Sequence, residues 1–162
     1  MKDRVREAVF NLLGPGIVGT HAIDLFAGTG ALGLEAVSRG AARATLIERH
    51  LPTSRLIEQN VAAMGVGGQV EVAFGDAFVW TERFRPSGAI PVTVFVSPPY
   101  DFYEERRENM TGLIARWVAV APTTSLLVVE ADERFDFSIL PQADEWNIRQ
   151  YLPAVIGIFQ KA

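Results

Sequence analysis

Residues 21–41, "HAIDLFAGTGALGLEAVSRGA", decide the fold. The opening eight, "HAIDLFAG" (21–28), read as a buried strand running into a glycine turn, and residues 31–39 as a short helix closed by Gly40. Gly28-Thr29-Gly30-Ala31-Leu32-Gly33 meets the G-x-G-x-x-G spacing of nucleotide-binding crossovers. Gly28 and Gly30 permit a tight turn that a ligand can approach closely, and Gly33 lets the helix pack hard against a strand. "ATLIE" (44–48) is the next strand, and Glu48 at its end lies eighteen residues past Gly30. A carboxylate there can accept from both hydroxyls of a ribose.

The alternation continues on both sides. Residues 4–13 place Val5, Ala8, Val9, Leu12 and Leu13 at helical spacing before Gly14-Pro15. Pro52 suits the first turn of a helix whose apolar face is Leu56, Ile57, Val61 and Met64. "QVEVAF" (69–74) is a third strand, a short helix follows Asp76, and "VTVFV" (92–96) is a fourth strand. A helix is expected over 103–120 and a fifth strand over 125–131, "SLLVVEA". The stretches 145–151 and 154–160 are too close for an intervening helix and read as an antiparallel strand pair. Alternating helices and apolar strands predict an α/β fold, a mostly parallel sheet covered on both faces. Ligands of such sheets sit at the carboxyl ends of the strands, where every motif here falls.

Composition narrows the options. At 162 residues one domain, 1–162, is expected, with 49% hydrophobic and 21% charged residues, ordinary for a globular chain. The absence of cysteine excludes disulfides, thiolate metal sites and thiol nucleophiles, and His21 and His50 are too few for a typical zinc site. No apolar run has membrane-spanning length and residues 1–13 do not read as a secretory leader, so the cytoplasm is expected. Net charge is −4, with seven Lys/Arg against six Asp/Glu over residues 1–60 and eight against thirteen thereafter. An RNA contact would therefore be local, and Lys2, Arg4 and Arg6 form the best basic cluster.

The next question is which nucleotide. A dinucleotide cofactor sets two anionic phosphates at the helix N-terminus. S-adenosylmethionine carries an amino-acid end and a sulfonium instead, and it benefits from an acid within the first strand. Asp24, four residues before Gly28, can meet that ammonium, or alternatively cap the turn amides. Asp76 in "FGDA" can accept from an adenine amino group or cap the next helix; the two roles are compatible. "VFVSPPYD" (94–101) is a strand ending in Pro98-Pro99-Tyr100, a rigid lip on which a flat base can rest, or a simple turn.

Taken in order, D-x-F-A-G-T-G, an acid after the second strand, G-D-A after the third and P-P-Y after the fourth resemble the motif series of class I S-adenosylmethionine-dependent methyltransferases. "DRVREAVFNLL" (3–13), "DLFAGTGALGLEAVSRGA" (24–41), "ATLIE" and "VFVSPPY" together resemble the RsmD-like family of bacterial 16S ribosomal RNA guanine-N2 methyltransferases. The resemblance implies a Rossmann-like, seven-stranded, mostly parallel sheet with its last strand antiparallel, and S-adenosylmethionine as methyl donor. It implies a guanine in 16S ribosomal RNA, free or in the small ribosomal subunit, as acceptor; a monomer is expected, since no dimer is signalled. By position, Asp24, Phe26, Gly28, Gly30, Glu48, Asp76 and Ala77 would bind the cofactor. Ser97, Pro98, Pro99 and Tyr100 would form the catalytic lip, with Tyr100, Arg4 and Arg6 on the substrate.

Two departures from that family stand out. A basic segment usually precedes its first helix, and its place here is read as absent or trimmed. Ser97 stands where the family has Asp. An exocyclic amine is a poor nucleophile until acceptors aimed at its N–H groups favour a pyramidal nitrogen. Ser97 and the Pro98 carbonyl are such acceptors, but a hydroxyl is nearly useless as a base near neutral pH. Losing a charge-assisted hydrogen bond costs roughly 1.5–3 kcal/mol, about ten- to a hundredfold in rate. A weakened or non-catalytic homologue is thus the second reading, and an NAD(P)-dependent oxidoreductase, from the literal glycine pattern, the third.

Overall fold

The computed structural model describes residues 1–162, all of them placed in one α/β layer architecture. Helix α1 (Asp3–Leu13) precedes β1 (His21–Asp24), α2 (Ala31–Ser38), β2 (Arg43–Glu48), α3 (Leu51–Ala63), β3 (Val70–Phe74), α4 (Ala77–Arg83) and β4 (Val92–Val96). Then come α5 (Phe102–Glu105), α6 (Arg107–Val120), β5 (Leu126–Asp132), β6 (Asn147–Tyr151) and β7 (Ala154–Gln160). The strands form one seven-stranded sheet in the order β3-β2-β1-β4-β5-β7-β6. The first five are mutually parallel, and β7 runs antiparallel between β5 and β6. No helix is long and apolar enough to cross a membrane.

The strands are apolar because both faces are covered. All five residues of β4 and the first six of β5 are buried. Alternate strand positions feed two cores. On one face Val9 and Phe10 of α1, Leu32 and Ala36 of α2 and Ile57 of α3 meet Ala22, Leu46 and Phe95. On the other, Ala77 of α4, Tyr103 of α5 and Met110, Ile114 and Trp117 of α6 meet Ile23, Val94 and Leu127. Trp117 and Trp146 are buried core residues, and Trp80 stacks on Phe84 at 4.7 Å. All three therefore pack the fold.

Gly33 seats α2. A Cβ there would lie 2.5 Å from Leu46 Cδ1 and 2.8 Å from Leu46 Cγ, inside any real contact distance. The glycine pattern thus holds a packing requirement as well as a turn. Gly30, the cap residue ahead of α2, adopts φ +85°, a left-handed conformation that glycine enters without strain.

One expected helix is two. The stretch 103–120 breaks at Arg106, whose backbone leaves helical values at φ −128°, ψ 41°. Its guanidinium lies 4.4 Å from the Phe78 ring centroid and 5.3 Å from that of Phe102. The charged run 104–108 therefore turns one arginine inward.

Gly33→Ala is expected to lower stability by about 1–3 kcal/mol, the usual range for overpacking. Adding Leu46→Ala should make the double variant more stable than the sum of the single losses predicts. Thermal unfolding of the three variants measures both effects; strict additivity would show that the two positions do not share space.

Candidate active site

The carboxyl ends of the five parallel strands converge on a cleft of about 550 Å³, a size suited to a nucleoside-sized ligand. The β1–α2 turn, the end of β2, the β3–α4 turn, the β4 lip and Glu130 of β5 all contribute walls. β1 and β4 are neighbours with their crossovers running to opposite sides, so the cleft lies at the topological switch point.

Asp24 ends β1 beneath the glycine turn. Its side chain is 1% exposed, and neither carboxylate oxygen has a hydrogen-bond partner. Burial pushes its pKa up to about 7; the nearby backbone amides of Gly33 and Phe26 and the Met1 ammonium offset part of that rise without compensating the carboxylate by a hydrogen bond within bonding geometry. It does not cap the turn. An orphaned, fully buried carboxylate under a cleft fits a cationic partner, because an unpaired ion in an apolar setting is costly.

Glu48 is pinned from two sides. The Gly28 N–H donates to Oε2 at 2.9 Å and the His50 N–H to Oε1 at 3.0 Å. Two backbone donors fix the carboxylate plane and leave further lone pairs facing the cleft. Asp76 caps α4, its Oδ1 accepting from the N–H groups of Phe78 (2.9 Å) and Val79 (3.0 Å). Oδ2 makes no part of that cap and keeps its lone pairs free to accept. Phe26, Ala77 and Phe78 supply apolar wall between the two acids. Phe26 meets Phe78 and Phe102 edge-on at centroid distances of 6.0 and 6.1 Å.

The lip falls at the mouth of the same cleft. Ser97, Pro98 and Pro99 line it, with Pro98 buried. Tyr100 lies apart from the lining residues and packs against the α1-side core. Burial, then the Glu130 carboxylate, raise its hydroxyl pKa to about 12. Asp101 points away and pairs with Arg134 at 3.0 Å, so it does not replace the missing carboxylate at 97. Of the basic residues read at the start, Arg6 lines the cleft and also pairs with Asp3 at 3.0 Å, whereas Arg4 is exposed outside it.

Three residues of the site were not singled out from sequence. Arg49 and Arg106 bring cations to the rim over Phe102, and Glu130 brings a buried acid. The signal for Glu130 was available: "VVEA" puts a carboxylate inside an otherwise apolar strand. Arg106 carried none, because only the break between α5 and α6 turns it inward.

A model of the family described as "Conserved hypothetical protein 95" matches residues 1–151. "Ribosomal RNA small subunit methyltransferase D" of Escherichia coli K12 is 43% identical over 98 residues, 60% of this chain and 48% of that protein. The chain thus spans about half the length of that curated relative. Among solved structures, "Putative methyltransferase yhhF from Escherichia coli" superposes with a TM-score of 0.79 at 31% identity, covering 99% of this chain and 85% of that one. An RNA methyltransferase from Salinibacter ruber, solved with S-adenosyl-L-homocysteine, superposes with a TM-score of 0.68 at 18% identity, covering 99% and 92%. That last likeness is one of fold. The family and the class I methyltransferase architecture read from the sequence are both borne out.

Asp24→Asn tests the orphaned acid. A raised folded-state pKa means that Asp24's favourable contribution is complete below its unfolded value of about 3.8 and is lost as pH rises through about 7. In ligand-free protein the Asn variant should therefore gain thermal stability relative to the parent as pH climbs from 4 to 8. A pH-independent difference between the two melting curves would mean the carboxylate is compensated.

Proposed function

We propose, on the premise that this chain belongs to the Conserved hypothetical protein 95 family, that it is an S-adenosylmethionine-dependent methyltransferase acting on the N2 amine of a guanine in 16S ribosomal RNA. The observation that carries the cofactor is Asp24, a buried carboxylate without a partner at the end of β1. A ligand with an ammonium group satisfies it. A dinucleotide's pyrophosphate would instead meet Glu48 and Asp76 in the cleft lining, and like charges at close range repel. The oxidoreductase reading loses its support there.

Asp24 would hold the methionine ammonium, Glu48 the ribose hydroxyls and the free oxygen of Asp76 the adenine amino group. Gly28 and Gly30 leave room for close approach to the turn, and Phe26, Ala77 and Phe78 exclude water from the rings. When bound, the cofactor would supply a methyl on sulfonium, the C–S bond breaking as the N–C bond forms with the electron pair left on sulfur, and the amine's surplus proton would pass to solvent water. Ser97 Oγ and the Pro98 carbonyl would accept from the amine N–H groups and turn the nitrogen lone pair toward the methyl. Neither need move, because Pro98-Pro99 fixes the backbone and the strand fixes Ser97. Catalysis is then chiefly positioning.

The target base must be unstacked to reach such a lip. Arg6, Arg49 and Arg106 at the rim would take the flanking phosphates, which explains how an acidic chain engages RNA locally. The partner is 16S ribosomal RNA or the small ribosomal subunit, and the working unit a monomer. The second reading, a weakened or silent homologue that still binds cofactor, draws on Ser97.

Calorimetry should detect S-adenosylmethionine and its demethylated product, with Asp24→Asn lowering affinity at least tenfold; binding of neither molecule overturns the assignment. Methyl transfer to unmodified 30S subunits separates the two readings. On the active reading it is measurable and rises about tenfold with Ser97→Asp, the charge-assisted hydrogen bond being restored. On the silent reading the parent protein binds cofactor yet methylates neither ribosomal RNA nor subunits.

A further inference from the structure

Glu130 is the one carboxylate of the cleft that the cofactor does not account for. It sits on β5, the strand beyond β4 from the cofactor turn, and so on the substrate side. The last paired residues of β4 and β5 are Val96 and Val129, which makes Ser97 and Glu130 the next residues on adjacent strand ends. Both line the same cleft.

Glu130 is 3% exposed, and Oε2 has no hydrogen-bond partner. The α-amino nitrogen of Met1 stands 3.6 Å from Oε1, beyond hydrogen-bond length. Its backbone is held rigidly. Glu130 pairs with Ile156 of β7, and the Tyr103 hydroxyl donates to the Glu130 carbonyl at 2.8 Å. The Tyr100 hydroxyl also faces the carboxylate, which helps to raise the hydroxyl's pKa; Oε2 is left without a partner, and a carboxylate set this firmly and desolvated is built to receive a donor there.

We propose that Glu130 reads the acceptor base, its carboxylate taking the N1–H that stands beside the reactive amine on a guanine's Watson–Crick edge. This rests on the proposed function and names a specificity-determining residue for it. Guanine presents N1–H beside the N2 amine, a donor that an acceptor-only carboxylate can take while the amine's two N–H groups stay with Ser97 and the Pro98 carbonyl. Adenine presents an amine beside a bare ring nitrogen, which would face the carboxylate acceptor to acceptor. The edge that carries the reactive amine is thus chosen by Glu130, while Ser97 and the Pro98 carbonyl, on the next strand, orient that amine. A glutamate serves because a site built to pair a polar group rejects the analogue lacking it.

2-Aminopurine isolates this contact: it keeps the N2 amine and lacks N1–H. The probe is a heptamer of uridines with one central guanine, or 2-aminopurine in its place, bound to protein saturated with S-adenosylhomocysteine and followed by anisotropy. The parent protein should favour guanine by about ten- to a hundredfold. Glu130→Gln, whose amide offers one acceptor and one donor, should bring that ratio near one, with cofactor affinity unchanged. If Glu130 only braces the fold, the variant weakens both heptamers equally and the ratio survives, which overturns the proposal. No preference in the parent protein overturns it as well. Methyl transfer to 30S subunits by a parent protein whose preference survives Glu130→Gln would sink the base-reading role alone; a parent protein that binds no cofactor sinks it together with the function it rests on.

Discussion

Gly33 lies where Leu46 leaves no room for a side chain, and the geometry of the cleft follows from that contact. It lets α2 lie flush on the sheet, which sets the height of the Gly28–Gly30 turn above the end of β1. The Gly28 amide then reaches Glu48 at the end of β2, tying the turn to the neighbouring strand. Asp24 is shut beneath the same turn. Without close seating of α2 the turn would lift and water would reach Asp24, ending the desolvation that raises its pKa. A packing fact thus becomes an electrostatic one.

Charge in this protein is sorted by depth. The cleft is lined by Glu48, Asp76 and Glu130, with Arg6, Arg49 and Arg106 toward its mouth, and Asp24 is buried beneath it. Arg49 and Arg106 are supported by aromatic rings, Arg106 over Phe78 and Phe102 and Arg49 over Phe102, while Arg6 pairs with Asp3. The exposed acids cluster elsewhere: Asp101, Glu104 and Asp132 share Arg134. A net charge of −4 therefore says little about the mouth of the cleft. Interior acids favour a ligand rich in N–H or ammonium groups, and rim cations favour a polyanion passing over it.

How far the sequence revealed this depended on the kind of signal. Strands and turns were legible because both-face burial forces continuous apolar runs and because glycines mark positive φ, so the order of elements and the residues at the strand ends came through. Asp24, Glu48 and Asp76 followed, since each sits one step past a legible strand. The break at Arg106 was not legible: the residues around it are charged helix formers, and what opens the helix is a tertiary pull toward two phenylalanines distant in sequence. Arg4 and Arg6 looked alike at helical spacing two apart, yet two residues on a helix face different ways, and only Arg6 meets the cleft. Tyr100 was read as a base platform from its place in P-P-Y, but it turns to the α1-side core, where its ring finds apolar cover.

Ser97 changes meaning in this setting. Considered alone, it is a charge lost from a lip that needs acceptors. Within the sheet it is one of three acceptors carried by rigid supports: its own place at the end of β4, the Pro98 carbonyl fixed by two prolines, and Glu130 at the end of β5. β4 lies between β1 and β5, and β5 between β4 and β7, so neither strand end can shift without breaking paired backbone on both sides. Swapping a carboxylate for a hydroxyl on such a support weakens one hydrogen bond and leaves the geometry intact. The charge the lip lacks at position 97 is present one strand away, buried and without a full set of partners. On the proposed function the division of labour is physical: the neutral acceptors would direct the nucleophile's lone pair, and the charged one would hold the base that bears it.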